Sequence, residues 1–356
     1  MTLRALSTLA VMVCAGCNAI PAMAAPVQAP LTFPRDEGAH PAWKTEWWYV
    51  TGWLQRADGK PLGFQVTFFR NRGPAGPEHA SAFAPHQLLL AHAALSDPSL
   101  GHLRHGERAA RSGFGLADAR VGDIAVNIDD WNLQRAPDGG LQTHVSTADF
   151  SLDLHFQPDQ PPLLQGEHGH SQKGRDARAF SWYYSQPHLH AHGTLQQAGQ
   201  AAAPVQGEAW LDHEWSDAYV SPGAVGWDWT GLNFADGGAL MAFRMRDARG
   251  QTLWSAGTWR DGHGQQQTLG NGNLVMTPGR TWQSPLTGAH YPVEWTLRWP
   301  GHVVRLQPLL DPQELDGRAS TSTVYWEGAV RALDAGSTPV AQGYLELTGY
   351  WRPLHF

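Results

Sequence analysis

The feature that most constrains the fold is a regular alternation of apolar and polar residues with a period of two. Residues 150–156 place apolar side chains at every second position, and residues 293–299 repeat the pattern with two tryptophans. Successive side chains of a β-strand point to opposite faces of the sheet, so such segments bury one face. Residues 344–350 form another β-like run. The alternation predicts strands along much of the chain.

Asp-Gly pairs punctuate the alternating segments. They begin at Asp58, Asp138, Asp236, Asp261 and Asp316. Both residues tolerate the positive φ angles of tight hairpin turns. No long amphipathic helical pattern accompanies them. Many short strands joined by hairpins predict an all-β fold of barrels or sandwiches.

A weak internal repeat predicts two similar halves. Residues 48–52 resemble residues 227–231, and each segment is followed by an Asp-Gly turn and a strand that carries Phe and Arg. Chance matching in a chain rich in Trp and Gly is the alternative explanation. Residues 196–206 are small, polar and punctuated by proline, as linkers are. The predicted organisation is a signal peptide over residues 1–25, an N-terminal domain over 26–205 and a C-terminal domain over 206–356.

The N-terminus predicts export to the periplasm or secretion. Arg4 precedes an apolar run, residues 6–15, that has the length of a signal peptide and is too short to span a membrane. Residues 22–24 supply the small side chains that signal peptidase recognises. The alternative is a lipoprotein, in which a lipidated Cys17 associates with a membrane. Both cysteines, Cys14 and Cys17, lie in this leader, so a body cleaved after Ala24 has no disulfide and no Cys-ligated zinc.

Composition argues against one class of partner and favours another. The chain has 25 Lys and Arg against 32 Asp and Glu, and its net charge of −7 argues against nucleic acid, which needs a basic face. No later stretch is apolar enough for a transmembrane helix. Eight of the 17 tryptophans lie in just two segments, residues 43–53 and 210–229. The expected partner is therefore a hydrophobic small molecule.

These tryptophans lie in motifs that resemble those of a known family. Residues 40–49, 182–185, 207–215 and 325–328 are similar to motifs of the lipocalin-like predicted secreted hydrolases. That family includes AttH-type proteins and the carotenoid 1,2-hydratases, also called hydroxyneurosporene synthases. The resemblance covers residues 40–350, which is nearly the whole predicted mature chain.

The resemblance implies two tandem lipocalin-like antiparallel β-barrel domains with a bulky apolar ligand between them. Some members hydrate isoprenoid double bonds, so hydration or hydrolysis of a lipid or isoprenoid-like molecule is the expected activity. A carrier that binds such a ligand without converting it is the alternative. No cofactor is expected.

The segment Asp212-His213-Glu214-Trp215 is the predicted catalytic site. In a strand, Asp212 and Glu214 face one way while His213 and Trp215 face the other. Hydration needs an acid whose pKa is raised by an apolar pocket, a base that orients water and an aromatic wall beside the carbocation. His213 would position the water and Trp215 would shield the cation. Hydrolysis would instead use His213 with a carboxylate to activate water. The competing hypothesis is a buried polar network that fixes how two barrels dock.

Further aromatic and acidic residues are predicted to contact substrate. These residues are Glu46, Trp48, Tyr183, Trp227, Asp228 and Trp229. Asp228 lies between two indoles and must find a partner if it is buried. Glu46 and its aromatic neighbours also fit a barrel core.

One departure from the family affects the predicted mechanism. By resemblance, His213 and Trp215 occupy catalytic positions of the carotenoid hydratases, which also carry a Tyr-x-Asp acid motif on the following strand. Here that strand covers residues 240–246, with Phe243 and Met245 at the nearest positions. The absent acid argues against a carotenoid substrate.

His188, His190 and His192 alternate and would share one face of a strand. Neighbouring side chains on one face lie about 7 Å apart, which suits the ligands of a single zinc ion poorly. The pattern predicts solvated or barrel-lining histidines, and no metal site is expected.

Overall fold

The computed structural model describes residues 30–75, 79–81, 83–270 and 272–354. The predicted signal peptide, with Cys14 and Cys17, lies outside the described residues. From Leu31 onwards the chain forms one compact unit. Its described helices are two 3-10 turns, Arg35–Glu37 and Pro98–Leu100. No helix in the described ranges is long and apolar enough to cross a membrane.

The first sheet, counted over the described residues, has thirteen strands. These are β1 Thr45–Arg56, β2 Pro61–Arg72, β3 Gln87–Ser96, β4 Arg104–Arg111, β5 Ala117–Ala119, β6 Ala125–Ile128, β7 Trp131–Arg135, β8 Leu141–Ser146, β9 Phe150–Pro158, β10 Leu163–Leu164, β11 His170–Gln172, β12 Phe180–Gln197 and β13 Ala203–Ala218.

The second sheet has ten strands within the same described ranges, and a two-stranded ribbon accompanies it. The sheet contains β14 Gly226–Phe234, β15 Ala239–Arg246, β16 Thr252–Arg260, β17 Gln266–Leu269, β18 Val275–Pro278, β21 Trp295–Trp299, β22 His302–Pro308, β23 Glu314–Gly317, β24 Thr323–Leu333 and β25 Pro339–Leu347. The ribbon pairs β19 Thr281–Gln283 with β20 His290–Pro292. The predicted all-β fold is confirmed.

Both sheets are antiparallel and mostly follow chain order. The first runs β4-β3-β2-β1-β13-β12-β9-β8-β7-β6-β5, and it curves until β6 again lies beside β3 and β4, which nearly closes a barrel. The second runs β17-β16-β15-β14-β25-β24-β22-β21-β18. Each sheet encloses its own apolar core, with Trp48 and Trp131 in the first and Trp295 and Trp326 in the second. Two lipocalin-like barrel domains are therefore present.

The alternating segments and most of the turn signals fold as expected. Strand β9 alternates buried and more exposed side chains, as does β21. Asp58, Asp138 and Asp236 precede glycines with positive φ in the hairpins after β1, β7 and β14. Asp316 and Gly317 instead form the last two residues of β23, where they pair with β24 and directly precede the hairpin turn.

The change of sheet falls later than the predicted boundary between residues 205 and 206. Strand β13 pairs with β1 on one side and with β12 on the other, so it is the central strand of the first sheet as far as Ala218. The second sheet begins at Gly226. Without β13, the backbone groups of β1 and β12 that it pairs would be left without partners.

A third apolar cluster lies between the two sheets. It joins side chains from the outer face of the first barrel, including Tyr49 and Tyr183, to Trp229 and Phe243 of the second sheet. The Trp53 indole donates to the Gly343 carbonyl oxygen at 2.9 Å. The two outer faces therefore pack against each other over part of their area, and the site lies between them.

Candidate active site

Strand β13 divides the predicted catalytic segment between two places. Asp212 and Glu214 point out of the first barrel toward the second sheet. Trp215 lies in the core of the first barrel, and the His213 ring packs against Trp48 and Trp215 there. The predicted alternation of faces is therefore present. It also means that the four side chains cannot meet around one substrate.

The inward side chains belong to a barrel-interior cluster, which we define as His40, Glu46, Arg70 and His213. Glu46 accepts a hydrogen bond from Arg70 Nε at 2.6 Å, and His213 Nε2 and His40 Nδ1 lie 2.9 and 2.7 Å from Glu46 Oε1. Glu46 and Arg70 face each other across β1 and β2, and both are buried. Trp48 stacks on His213 with ring centroids 4.7 Å apart. Glu46 and Trp48, which were predicted to contact substrate, thus lie inside the barrel.

The electrostatics of this cluster are those of an ion pair. Burial alone would raise the pKa of Glu46, but hydrogen bonds from His213 and His40 bring it below its usual range. Burial lowers the pKa of His213 to about 4 even though Glu46 opposes this, so His213 is neutral at neutral pH. The permanent counter-charge of Glu46 is therefore the Arg70 guanidinium.

An inter-sheet cavity of about 1330 Å³ separates the outer faces of the two sheets. Its aromatic walls include Trp47, Tyr49, Phe69, Tyr183, Trp227, Trp229 and Tyr325. Five carboxyl groups also line it, namely those of Asp212, Glu214, Asp217, Glu327 and Glu346. A mostly apolar cavity with a few convergent polar groups is the usual form of a small-molecule site.

Asp212 lies at the centre of the wall formed by the first sheet. Its carboxylate accepts hydrogen bonds from Tyr183 Oη and Ser185 Oγ, both at 2.5 Å, and from Trp210 Nε1 at 2.7 Å. Burial raises the pKa of Asp212 to about 7, although these hydrogen bonds act in the opposite direction. The Tyr183 hydroxyl also accepts from Trp229 Nε1 at 3.0 Å, which links this wall to the second sheet.

Glu327 and Glu346 form a carboxyl pair on the opposite wall. They face each other in register on β24 and β25. Burial and the neighbouring Glu346 raise the pKa of Glu327 well above its usual range. Burial, with Asp212 and Glu214, raises the pKa of Glu346 to about 8, and the Trp227 indole, which donates to Oε1 at 3.0 Å, opposes the rise. Two buried carboxyls so placed cannot readily ionise together.

The Glu327 carboxyl is also short of hydrogen-bond partners. Both oxygens are buried without a well-formed hydrogen bond, although the Tyr49 and Tyr325 hydroxyls are near enough to lower its pKa. Glu346 keeps some accessible surface where it lines the cavity. An acid that is buried and poorly paired is held neutral at neutral pH.

The geometry can now be compared with known proteins. The sequence profile of the AttH-like family matches residues 24–350. The chain belongs to the AttH-like family. The crystal structure of a Nitrosomonas europaea protein provisionally named AttH is 47% identical and superposes with a TM-score of 0.85, covering 92% of this chain and 99% of that chain. The predicted family is therefore confirmed.

A more distant structure shares the fold of this AttH-like protein. Kievitone hydratase from Nectria haematococca is 16% identical, with a TM-score of 0.69 over 94% of this chain and 96% of its own. At this identity the likeness supports the fold alone. No curated protein matches the chain in sequence.

Asp228 of this AttH-like protein lies away from the inter-sheet cavity. Its carboxylate accepts from Arg244 Nε at 2.6 Å and from the Tyr350 hydroxyl at 2.8 Å, and Arg246 Nε lies 3.6 Å away. The flanking Trp227 and Trp229 do line the cavity, because neighbours in a strand face opposite sides. The prediction of a substrate contact is therefore not supported for Asp228, which is a partner of two arginines.

Glu214 is also paired. Lys173 Nζ lies 2.8 Å from Glu214 Oε1, and both side chains are buried. The ammonium also stands over the rings of Tyr183 and Phe243, at 4.8 and 4.4 Å. Glu214 thus lines the cavity as one partner of a buried ion pair.

Sequence reasoning missed the carboxyl pair of this AttH-like protein. The expected acid is absent from the strand of Phe243, but Trp229 has Phe243 beside it on β15 and Glu346 on β25. Glu346 therefore lies on the opposite side of Trp229 from Phe243. The available signal was a Tyr-x-Glu pattern in two apolar strands, Tyr325 to Glu327 and Tyr344 to Glu346.

The histidines show no metal-like convergence in the 188–192 segment. His188 Nδ1 lies 2.6 Å from Glu208, His190 Nε2 lies 3.1 Å from Asp159, and His192 packs beside another histidine ring. Among the described residues, ligand atoms with metal-like spacing occur at His40, Glu46 and His213, within 4.8 Å of one another. The Arg70 guanidinium on Glu46 opposes a cation there, so this group fits an ion pair better than a metal.

Proposed function

We propose that this AttH-like protein is an enzyme that uses water to hydrate or hydrolyse a hydrophobic, lipid- or isoprenoid-like small molecule in the inter-sheet cavity. The observation that carries the proposal is the set of buried acids on an aromatic wall, since the pKa of Asp212 is raised to about 7 and that of Glu346 to about 8. Acids with such values exchange protons efficiently near neutral pH.

The proposed roles follow from the protonation states. The carboxyl pair holds at least one proton and acts as the general acid, which gives this proton to the substrate. Indoles and phenols around it stabilise developing positive charge. Asp212, poised near neutrality, accepts a proton from the attacking water. One water molecule is consumed, and the proton that it loses balances the proton given by the acid.

The competing function is a carrier for the same class of ligand. A carrier requires the apolar walls but has no need of acids held neutral by burial. Unpaired buried carboxyls cost stability, so a cavity that only stored ligand would be better served by amides or apolar side chains. The poorly paired Glu327 therefore favours catalysis over storage.

The test is a turnover assay on a panel of terpenoids and lipid esters. Asp212→Asn and Glu346→Gln are expected to lower turnover by about 100-fold or more, the usual contribution of a positioned acid or base. Asp153→Asn, which changes an exposed carboxylate on the outside of β9, is the matched control. Unchanged turnover in both cavity variants, with folding intact, rules the proposal out.

Mass spectrometry of compounds that co-purify from the native periplasm separates enzyme from carrier. A ligand recovered unchanged, and not converted by the unsubstituted protein, would establish the carrier. We also propose that the protein is exported, with a membrane anchor through Cys17 as the alternative to free release. The mass of the mature N-terminus distinguishes cleavage after Ala24 from lipidation.

A further inference from the structure

A chain of hydrogen bonds runs along the wall of the inter-sheet cavity from the strand of Glu327, crosses from one sheet to the other and ends at Glu107 outside the cavity. The Tyr325 hydroxyl lies 2.7 Å from His92 Nδ1, and His92 Nε2 lies 2.8 Å from Ser320 Oγ. Ser320 Oγ lies 2.5 Å from Glu107 Oε2. His92 is fully buried on β3, whereas the Glu107 side chain on β4 is 23% exposed.

The direction of donation in this chain follows from counting protons. Glu107 Oε2 accepts from the Ser320 backbone N–H at 2.9 Å and also from the hydroxyl. A serine hydroxyl has one proton, so His92 Nε2 must donate to Ser320 Oγ. Burial, with a smaller effect of His105, lowers the pKa of His92 to about 3, so the ring is neutral and carries a single N–H. His92 Nδ1 therefore accepts, and Tyr325 donates to it.

The remaining lone pairs of Tyr325 are available to Glu327. Tyr325 and Glu327 are two residues apart in β24, so they lie on the same face of that strand, and both line the cavity. Burial and the neighbouring Glu327 raise the pKa of the Tyr325 hydroxyl. A neutral Glu327 is a donor, and the Tyr325 proton is already directed to His92. From Tyr325 onwards every donor points toward Glu107 at the surface, and a proton given by Glu327 to Tyr325 would enter this row.

We propose that Tyr325, His92 and Ser320 form a proton relay between Glu327 in the cavity and Glu107 at the surface. Glu327 releases a proton to Tyr325, Tyr325 passes its own to Nδ1, Nε2 passes one to Ser320, and Ser320 passes one to Glu107. One carboxyl loses a proton as the other gains one, so charge is conserved. Glu107 exchanges its proton with solvent, and the reverse sequence reloads Glu327.

A catalytic Ser-His pair is a poorer description of the same atoms. A general base for Ser320 would have to become an imidazolium, and burial of His92 opposes that charge. Its Nδ1 partner is a phenol and not a carboxylate, so no negative charge would stabilise the imidazolium. The Ser320 proton is also directed to Glu107.

The local sequence is adapted to this histidine. A Cβ atom on Gly317 would lie 2.9 Å from His92 Cε1, so β23 can pack against the imidazole only with glycine there. This contact explains the glycine at the end of β23. The relay rests on the proposed function only for its purpose, which is to return a proton to the carboxyl pair during turnover.

Infrared spectroscopy of the resting protein tests the relay without a substrate. The C=O band of the protonated carboxyl, assigned by its loss in Glu327→Gln, shifts when its proton exchanges in D₂O. Ser320→Ala is expected to slow this exchange on the order of tenfold or more, and Ser320→Thr should restore it. Ser322→Ala removes an exposed hydroxyl two residues further along the same loop and serves as the control.

Two results would overturn the relay. Exchange as fast in Ser320→Ala as in the unsubstituted protein would mean that protons reach Glu327 through the cavity. A His92 ring that carries its proton on Nδ1 in ¹⁵N NMR spectra would reverse the order of donors. If Ser320→Ala does not fold, Glu107→Gln at the partly exposed end supplies the same exchange measurement. The readout needs no turnover, so it can fail while the cavity variants still lose activity, and the reverse also holds.

Discussion

Two acidic clusters can be compared, one inside the first barrel and one in the inter-sheet cavity, and they differ in the partners of their carboxyl groups. In the barrel-interior cluster, Glu46 meets a guanidinium at 2.6 Å and two imidazoles. In the inter-sheet cavity, the groups that contact Glu327 and Glu346 are hydroxyls, an indole and each other. Glu46 and Glu327 are both buried. The partner therefore decides whether a buried carboxyl is a fixed anion or a proton reservoir.

The comparison shows why a buried acid is weak evidence of function by itself. A carboxylate beside a permanent cation stays ionised across the neutral range and has no proton to give. A carboxyl opposite another carboxyl keeps its proton until the pH is high. Strand β13 carries residues of both clusters, which explains how one sequence motif can take part in structure and chemistry at once.

The largest expected effect is on turnover, and it separates the two clusters. Glu346→Gln should lower the rate per folded molecule by about 100-fold or more, because the acid is lost. His213→Asn should lower it much less, since His213 faces the interior of the first barrel. Steady-state assays corrected for the folded fraction make the comparison. Abolished turnover in His213→Asn alone would place the active site inside the barrel.

The second largest effect is on stability, where substitutions in the barrel-interior cluster should cost more than substitutions in the carboxyl pair. Removing one partner of a buried ion pair costs about 3–5 kcal/mol, so Glu46→Gln and Arg70→Met should each lose about that much free energy of unfolding. Glu346→Gln at pH 5 should change stability by less than about 1 kcal/mol, because an amide replaces a neutral acid. Urea unfolding curves at pH 5 measure both. Equal losses in the two clusters would contradict the contrast.

A pH dependence should distinguish the clusters further. The pKa values of Asp212 and Glu346 are about 7 and about 8 in the folded protein, above their values near 4 in the unfolded chain. Their contribution to stability is thus full below about pH 4 and is lost as the pH rises through 7 to 8, by at most about 1.4 kcal/mol per pH unit for each group. The pKa of Glu46 is lowered, so its contribution to stability depends on pH in the opposite direction. That contribution is lost only as the pH falls into the acid range.

Unfolding free energies measured from pH 5 to pH 8.5 test this dependence. The unsubstituted protein should lose stability over that range, and Glu346→Gln should lose less because one titrating group is gone. The two curves should converge toward pH 5. Parallel curves for the two proteins would show that Glu346 titrates as it does in the unfolded chain.

The smallest effect concerns the hydrogen bond from Tyr183 to Asp212. Tyr183→Phe removes a donor that favours the ionised carboxylate, so the pKa of Asp212 should rise further. The cost in stability should be about 1 kcal/mol, the usual net value of one hydrogen bond. A shift of the alkaline stability loss to higher pH measures the change. A shift to lower pH would mean that Tyr183 stabilises the neutral acid.

Most of the fold could be predicted from the sequence, because the pattern that indicates a strand is visible in a few neighbouring residues. Two-residue alternation predicted strands such as β9 and β21, since the pleat of a strand makes it visible in any window of a few residues. The same rule correctly separated Asp212 from His213. The Asp316-Gly317 pair marks the end of β23 and not the turn itself, and the close approach of His92 to Gly317 was not visible in the local sequence.

By itself, the sequence determined the fold class, the family and the alternation of the Asp212-His213-Glu214-Trp215 segment. Only the tertiary structure decided which of these side chains receives a cation and which faces a cavity. Glu327 and Glu346 meet because β24 pairs with β25 in one register, and they are desolvated because a second sheet packs on the first. Pairing partners and desolvation come from residues distant in the chain, so no local pattern could specify the pKa values on which the proposed chemistry depends.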